Sequence, residues 1–244
     1  MRVLGGAWRG WCVPLAGMAA GCSLATLRPR VAERDFFPLT PNSRWEYAVS
    51  RHAGTEKFRF VAVVRPDDFR TADGRACAIV DEQYGAETER FPVIYCTESG
   101  FLHRIMSLEY RGETLEDNGL RSGELKFLPT DLRHAGAWEG LTNAYRLPDG
   151  SGFEVQQLHH VHPGPERVVV PAGVFPRCIR VETTAIHSAV DGGGTRTGPR
   201  VIYYYSDWYA PGVGLVKTEQ RGSDAELVAT IELIRYVVGS GSHS

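Results

Sequence analysis

The chain has 244 residues, of which 43% are hydrophobic and 23% charged, and its formal net charge is −2. This is the composition of an ordinary globular protein, and the length fits one or two domains. Because there is no basic excess, the sequence gives no support for a protein that binds nucleic acid.

The first 21 residues differ from the rest of the chain. They carry Arg2 and Arg9 and no acidic residue, and an uncharged, mostly apolar stretch runs from residue 10 to residue 21. A basic start, a short apolar centre and a small-residue exit are typical of a secretory signal, and the apolar run is too short for a permanent spanning helix. We therefore expect residues 1–21 to be a signal peptide.

The signal ends in Ala19-Ala20-Gly21-Cys22, which resembles the lipobox of bacterial lipoproteins. In that family the chain is cut before the cysteine, which then carries acyl chains such as palmitate, and three such chains hold a protein on a membrane permanently. The resemblance implies lipidation at Cys22, with ordinary signal cleavage as the alternative. Since Ser23 rather than aspartate follows, it also implies the periplasmic face of the outer membrane.

The remaining chain divides into three segments. Residues 22–35 are polar and aperiodic and predict a tether, whereas the glycine- and serine-rich residues 239–244 predict a flexible tail. Residues 36–238 carry β-type alternation almost throughout and predict a single all-β domain.

Ten runs of this domain have the alternation of a half-buried strand, as in the last, where Leu227, Ala229, Ile231 and Leu233 should point inward. Glycine-containing turns separate the runs. We therefore expect an antiparallel barrel, closed or incomplete, or a sandwich. The predicted strands are 56–64, 76–84, 89–97, 100–112, 153–162, 166–170, 177–187, 200–209, 214–220 and 225–233.

Short stretches in the first half of the domain are weakly repeated in the second half. Residues 36–46 and 127–139 share a proline turn and a tryptophan, Trp45 and Trp138, and two further stretches return in the same order. The pattern predicts two repeated β units, 36–126 and 127–238, unless these short matches arise by chance. Both tryptophans should be packing residues whose indole N–H groups find partners.

Three stretches together resemble a family of uncharacterised bacterial lipoproteins: FFPLTPNSRWEY (36–47), VPAGVFPRCIRVE (170–182) and DWYAPGVGLVKTE (207–219). The first departs from the family pattern, because Asn42-Ser43 replaces a glycine-containing turn. The resemblance implies an all-β envelope domain and no particular activity. Within the third stretch, Pro211, Gly212 and Gly214 predict a turn between two strands.

Three cysteines remain once Cys12 leaves with the signal and Cys22 carries the anchor. Cys77 and Cys96 flank a predicted hairpin in which they would be directly opposite, within reach of a disulfide. Pairing of Cys77 with Cys178 follows if the repeat halves are adjacent, and three unpaired buried thiols are the third alternative. No C-x-x-C motif points to a redox enzyme.

The histidine cluster LHHVHPGPE (158–166) is a weak candidate for a metal site. On a strand, His160 and His162 share a face whereas His159 faces the other way, but a third ligand is missing and a solvated polar face is the simpler interpretation. The acidic residues 81, 82, 87 and 89 lie near one turn and should be solvated. We therefore expect no metal and no cofactor.

No nucleophile or zinc-hydrolase motif is present in the sequence, so we expect no enzymatic activity. Tyr203, Tyr205 and Asp207 share one face of a strand and could line either a core or a ligand cavity. The functional hypothesis is a binding or assembly protein of the envelope, whose partner would be an envelope complex or a hydrophobic ligand. Transport of a lipid or lipoprotein is the alternative, and a metal protein or hydrolase ranks last.

Overall fold

A computed structural model describes residues 35–67, 69–71, 74–85, 90–105, 108–111, 114–117, 121–122, 125–146, 152–193 and 195–239. All of them belong to one compact unit, residues 31–244. The predicted signal peptide, Cys22 and nearly all of the tether lie outside the described residues, as does the tail beyond Gly239.

The described residues form an all-β structure with two short turns of 3-10 helix, His52–Gly54 and Leu132–His134. The strands are β1 (Arg44–Arg51), β2 (Glu56–Val64), β3 (Phe69–Arg70), β4 (Ala76–Tyr84), β5 (Phe91–Glu98), β6 (Phe101–Ile105), β7 (Leu108–Arg111), β8 (Thr114–Asp117), β9 (Arg121–Ser122), β10 (Leu125–Pro129), β11 (Ala137–Arg146), β12 (Gly152–Val161), β13 (Glu166–Val170), β14 (Gly173–Val190), β15 (Arg196–Ala210), β16 (Gly214–Arg221) and β17 (Leu227–Val237).

One antiparallel sheet contains every described strand except the β7–β8 hairpin, and it is nearly closed into a barrel. The strands follow the order β10-β6-β5-β4-β2-β1-β17-β16-β15-β14-β12-β11-β9, with β3 added to β4 and β13 added to β14. Where β10 and β11 meet, the indole Nε1 of Trp138 donates to the carbonyl oxygen of Lys126 at 3.2 Å. The predicted antiparallel all-β barrel is confirmed.

Three details of the strand prediction need correction. The sequence runs missed β1, β3, β8, β9, β10 and β11, and the single run 100–112 contains two strands, β6 and β7. Leu227, expected to point inward, is exposed because it is the first residue of its strand at the rim of the sheet. Strand ends lie where neighbours are missing, so alternation there no longer predicts burial.

The two ends of the barrel differ. At the closed end, residues 35–41 and the turn between β15 and β16 lie over the strand ends, and inner-face residues such as Val64, Leu128 and Leu233 are fully buried. Two hydrophobic clusters fill this closed half of the barrel. The open end lies where β4 finishes at Tyr84 and β15 starts at Arg196.

Both repeated tryptophans are packing residues, as predicted. Each is 6% exposed, and each indole N–H reaches a backbone carbonyl oxygen. Trp45 donates to Val213 at 2.6 Å, whereas Trp138 donates to Lys126. A buried indole N–H without a partner would be strongly destabilising, so these contacts fix where the two rings pack.

The stretch Pro211-Gly212-Val213-Gly214 is a turn between β15 and β16. Gly212 has φ +71° and donates its N–H to the carbonyl oxygen of Asp35 at 2.7 Å. Gly214 has φ +101°, and a Cβ there would lie 3.7 Å from Nε1 of Trp45. Backbone conformation and close packing therefore explain both glycines, with no ligand required.

The substitution Gly214→Ala should destabilise the protein by roughly 1–3 kcal/mol, because an L-residue is strained at that φ. Gly136→Ala is the matched control, since a Cβ at Gly136 meets nothing within 4 Å and its φ is ordinary. Urea unfolding of both variants measures the difference. Equal stability of the two variants would contradict this account of the turn.

Cys77 of β4 and Cys96 of β5 are directly opposite and are joined by a disulfide, with 4.3 Å between the Cα atoms. This is the first of the pairings that the sequence left open. Cys178 is a buried free cysteine whose thiol pKa is raised to about 12, mainly by burial. The bond closes a loop of about 20 residues, and loops of this size correspond to about 3 kcal/mol of stabilisation.

Replacement of both residues, Cys77→Ser with Cys96→Ser, should therefore lower the free energy of unfolding by about 3 kcal/mol. A reducing agent should lower the stability of the wild type by a similar amount and leave the double variant unchanged. Denaturant melts with and without the reductant provide the comparison. If the reductant affected the double variant equally, the loss could not be assigned to this bond.

Candidate functional site

The candidate site is the inner face of the open half of the barrel. Strand register places Asp207 of β15 opposite Val181 of β14 and Thr218 of β16, both of which are buried. Because alternate residues of a strand share a face, Tyr203 and Tyr205 also point inward, whereas Tyr204 points outward and is exposed. The alternation of faces predicted from the sequence thus matches the register here.

Solvent reaches this part of the interior. The inner-face side chains of the closed half are buried, whereas in the open half several are only half-buried and others, such as Glu82 and Ala185, are buried. Along the inner face of a single strand, burial therefore decreases toward the open end. It decreases from Val64 to Phe58 on β2 and from Tyr209 to Tyr203 on β15. The half-buried inner-face residues are Phe58, Phe60, Tyr84, Gln157, His187, Tyr203, Tyr205, Asp207 and Ile231.

One wall of the open half carries a buried ion pair. Arg104 of β6 donates from Nη2 to Oε1 of Glu82 at 3.1 Å, and the hydroxyl of Tyr84 donates to Oε2 of Glu82 at 2.7 Å. Glu82 is only 7% exposed. These bonds compensate the carboxylate for the loss of water, so the group is stable inside the barrel.

The position of Glu82 corrects the expectation of a solvated acidic turn. Asp81 is also buried, on the opposite face of β4, with Oδ2 3.9 Å from Nη1 of Arg90. Both residues belong to a central strand that has neighbours on each side, which is why they are covered. Glu87 and Glu89 lie outside the described residues.

Aromatic rings continue this wall across three strands. Tyr47, Phe60 and Tyr84 stack in a row, with ring centroids 5.4 Å and 4.8 Å apart. The Tyr47 hydroxyl donates to the carbonyl oxygen of Leu215 at 3.1 Å. Stacked and hydrogen-bonded rings hold a rigid surface beside the Glu82–Arg104 pair.

The opposite wall presents Asp207. Its Oδ1 accepts a hydrogen bond from the Thr218 hydroxyl at 2.6 Å. Within the described part of the chain, no cationic side chain lies within ion-pair distance of this carboxylate, in contrast to Glu82 and Glu46. Burial raises the pKa of Asp207 to about 6, and the hydrogen bond from Thr218 only partly offsets this rise.

Electrostatic interactions connect the two walls. The pKa of Tyr209 is raised well above its usual value by burial first, and then by Asp207, Tyr95 and Tyr47. Burial likewise raises the pKa of Tyr205 to about 12, with Asp207 adding to the effect. Residues of β1, β5 and β15 are therefore close enough to influence one another across the interior.

His159 is the histidine of the cluster that the fold places inside. Its ring stacks on Trp138 with centroids 4.7 Å apart, and Nδ1 lies 2.8 Å from the Thr183 hydroxyl. Burial lowers the pKa of His159 to about 4, so the imidazole is neutral near pH 7. Its Nε2 is buried with no hydrogen-bond partner.

The two weak metal candidates, His160 and His162, lie on the outer side. His160 is exposed opposite Glu182, and Nδ1 of His162 is 3.7 Å from Oε1 of Glu166. Glu166 also contacts Arg180 and the indole N–H of Trp208. No group of three metal-ligating side chains occurs among the described residues, so the third ligand is not supplied there.

Sequence reasoning identified the strand of Asp207 but missed the Glu82–Arg104 pair. Glu82 stood among acids assigned to a turn, and Arg104 lay in a run with no distinguishing motif. The one available signal was alternation: Glu82 and Tyr84 share a face with Val80, which is buried in the core.

Two surface depressions accompany the interior. One of about 360 Å³ lies at the closed end between residues 35–39 and the β5–β6 and β10 region, lined mainly by Phe37, Leu39, Leu102 and Pro129. A second of about 250 Å³ lies beside Ser50 and Leu227 at the other end. In the part of the chain that the structure covers, no helix is both long and apolar enough to cross a bilayer.

Comparison with known proteins shows the fold. No protein-family model matches the chain, and no curated protein does. The crystal structure of a "putative lipoprotein" from Parabacteroides distasonis ATCC 8503 matches with a TM-score of 0.59 at 14% identity, covering 84% of this chain and 99% of that one. A "putative exported protein with YmcC-like fold" from Bacteroides fragilis NCTC 9343 matches with a TM-score of 0.46 at 16% identity and the same coverage.

The pKa shifts of His159 and Asp207 should affect stability in opposite directions as pH falls. The unfolded chain binds a proton at His159 near pH 6.5 and the folded protein near pH 4, so acidification across this window destabilises the fold by about 3 kcal/mol. The folded protein protonates Asp207 near pH 6 but the unfolded chain near 3.8, so acidification there stabilises it by about 3 kcal/mol.

Relative to the wild type, Asp207→Asn should therefore lose stability more steeply between pH 6.5 and 4, and His159→Gln should lose it less steeply. Urea unfolding of the three proteins at half-unit pH intervals measures both slopes. Parallel profiles for the wild type and either variant would show that the replaced group does not titrate as assigned.

Proposed function

We propose that this chain is a lipid-anchored protein of the bacterial cell envelope that binds a ligand inside its barrel without transforming it. Residues 1–21 would be the signal peptide and Cys22 the acylated residue, on the periplasmic face of the outer membrane. Support comes from the basic and apolar start, the lipobox-like exit and the similar fold of a chain named a "putative lipoprotein".

The observation that carries ligand binding is the half-buried, inward-facing carboxylate of Asp207 beside tyrosine rings. Binding sites combine aromatic walls with a few well-placed polar groups, and the open half of the barrel has both. Asp207 has one short hydrogen bond, from Thr218, and its other oxygen is available to a ligand. A ligand that offers a cation or hydroxyl donors fits this wall better than a purely apolar one.

The arrangement of the wall that contains Glu82 and Arg104 fits a binding protein better than an enzyme. Both carboxylate oxygens of Glu82 are engaged, by Arg104 and by the Tyr84 hydroxyl. A carboxylate held in this way is a fixed structural charge rather than a proton carrier.

Transport of a lipid is a second candidate, and the depression at the closed end favours it. Its volume of about 360 Å³ is in the range of small-molecule sites, and the apolar side chains of Phe37, Leu39 and Leu102 line it. Polar residues complete the lining: Asp35, Thr97 and Thr130. An acyl chain bound there would leave the Asp207 wall unoccupied, which separates the two candidates.

Native mass spectrometry of the mature protein extracted from membranes tests the proposal. We expect acyl mass on Cys22 and additional non-covalent mass from a ligand. The Asp207→Asn variant should retain that ligand at least about tenfold less, because a hydrogen bond to a charged group is worth about 1.5–3 kcal/mol.

Glu139→Gln is the matched control, since Glu139 is exposed on β11. It should retain the ligand as the wild type does. Retention of a polar ligand by Asp207→Asn at the wild-type level would overturn the assignment of this wall, and a bound lipid unaffected by the substitution would favour transport. An unmodified thiol at Cys22 would overturn the anchor.

A further inference from the structure

Asp207 carries a charge that no neighbouring cation balances. In the described part of the chain its carboxylate has one polar contact, the Thr218 hydroxyl at 2.6 Å, and no ion pair. Glu82 faces the same interior but has Nη2 of Arg104 3.1 Å away. Because an isolated charge is costly in a poorly solvated place, the interior around Asp207 favours a cation from outside the chain.

Arg51 is too far from Asp207 to supply that charge. It lies at the open rim on β1, three strands away from β15, which corresponds to roughly 14 Å along the sheet. Its guanidinium carbon is 4.9 Å from the ring centroid of Phe58, which also points inward. Arg51 therefore shows that an aromatic ring of this inner face holds a cation that lies within reach.

Aromatic rings lead from the open rim to Asp207. The His187 and Tyr203 rings are nearly perpendicular with centroids 5.2 Å apart, and the centroids of Tyr203 and Tyr205 are 6.5 Å apart. Tyr205 precedes Asp207 by two residues and shares its face of β15, and both are half-buried. Burial lowers the pKa of His187, so its imidazole is neutral near pH 7 and adds no charge to this wall.

The chemistry of this wall matches a primary ammonium group. An ammonium N–H can donate a charge-assisted hydrogen bond to the Asp207 oxygen that Thr218 does not use, whereas a quaternary ammonium has no N–H to donate. The faces of the neighbouring tyrosine rings attract the same cation. A neutral hydroxyl group would leave the charge of Asp207 unbalanced.

We propose that the interior site binds an organic molecule through a primary ammonium group held on Asp207, with the attached carbon chain lying along Tyr205 and Tyr203 toward the rim. This inference rests on the proposed binding of a ligand inside the barrel and narrows that ligand to an amine. Two sources share this chemistry, a free aliphatic amine and the ethanolamine headgroup of a phospholipid.

Calorimetric titration with 1,5-diaminopentane tests the proposal, and 1,5-pentanediol is the neutral counterpart. The mature protein extracted from membranes is dialysed at pH 5, where Asp207 is mostly protonated, and returned to pH 7.5 once native mass spectrometry shows that the site is empty. We expect the diamine to bind at least about tenfold more tightly than the diol, because hydrogen bonds between charged groups are the stronger ones.

O-Phosphoethanolamine, titrated in the same way, distinguishes the two sources. Binding tighter than that of the diamine supports a lipid headgroup as the natural ligand. Weaker binding supports a free amine, because the phosphate then finds no partner in the site.

Substitutions locate the ammonium group. Asp207→Asn should weaken diamine binding at least about tenfold and leave diol binding unchanged. Tyr205→Leu should weaken diamine binding about threefold or more, and Tyr205→Phe, which keeps the ring, should recover most of that loss. Tyr204→Leu is the matched control, since Tyr204 lies on the outer face of the same strand and is 43% exposed. Melting temperatures show whether each variant is folded.

Equal affinity of the wild type for the diamine and the diol would overturn the amine, and so would unchanged diamine binding by Asp207→Asn. The proposed function would survive either result if Asp207→Asn still lost the resident ligand in native mass spectrometry. Retention of that ligand by Asp207→Asn would overturn the binding site itself.

Discussion

The hydrogen bond from the indole of Trp45 to the carbonyl oxygen of Val213 joins parts of the chain 168 residues apart. It links the first strand of the barrel to the turn between β15 and β16, and the same turn binds Asp35 through Gly212. Because the ring and its partner are buried together, neither the strand nor the turn can move without leaving a polar group unsatisfied. This constraint closes one end of the barrel.

Closure at one end makes the interior asymmetric. Large apolar side chains fill the closed half, so its inner face contributes packing and stability. In the open half several inner-face residues, among them Asp207 and Tyr203, are only half-buried, and Glu82 is buried in an ion pair with Arg104. Polar groups tolerate that position because water or a neighbouring side chain satisfies them. Apolar packing and half-buried polar side chains therefore occupy different halves of the interior of one sheet.

Much of the sequence-based prediction of the fold rested on the alternation of apolar and polar residues along the chain. It placed the bounds of β2, β4 and β13, and the hairpin register that it implied brought Cys77 opposite Cys96. β1 was missed although Trp45, Tyr47 and Val49 alternate inward along it, and the bulge in its pairing lies on β17, where Ile234 has no partner on β1. Glu46 is buried between two inward aromatic residues, and its pKa is lowered to about 2 mainly by the hydrogen bond from Arg235.

The candidate site was harder to predict than the fold because its contacts are non-local. Arg104 meets Glu82 only because β6 and β4 both flank β5, and no local pattern encodes that arrangement. The fold buries His159 and leaves His160 exposed, which agrees with the interpretation that His160 and His162 lie on a solvated polar face. A run of one residue type shows that a strand alternates, but which face turns inward depends on neighbours elsewhere in the sequence.

The interior groups His159 and Asp207 also act together. One loses stability on protonation and the other gains it, over overlapping ranges between pH 6.5 and pH 4. The fold can therefore pass through that range with little net change in free energy from this pair, while the charge on the Asp207 wall is neutralised. A ligand held by that charge, as proposed, would therefore be released on acidification from a barrel that stays folded, because the proton on His159 offsets the stabilisation that the proton on Asp207 brings.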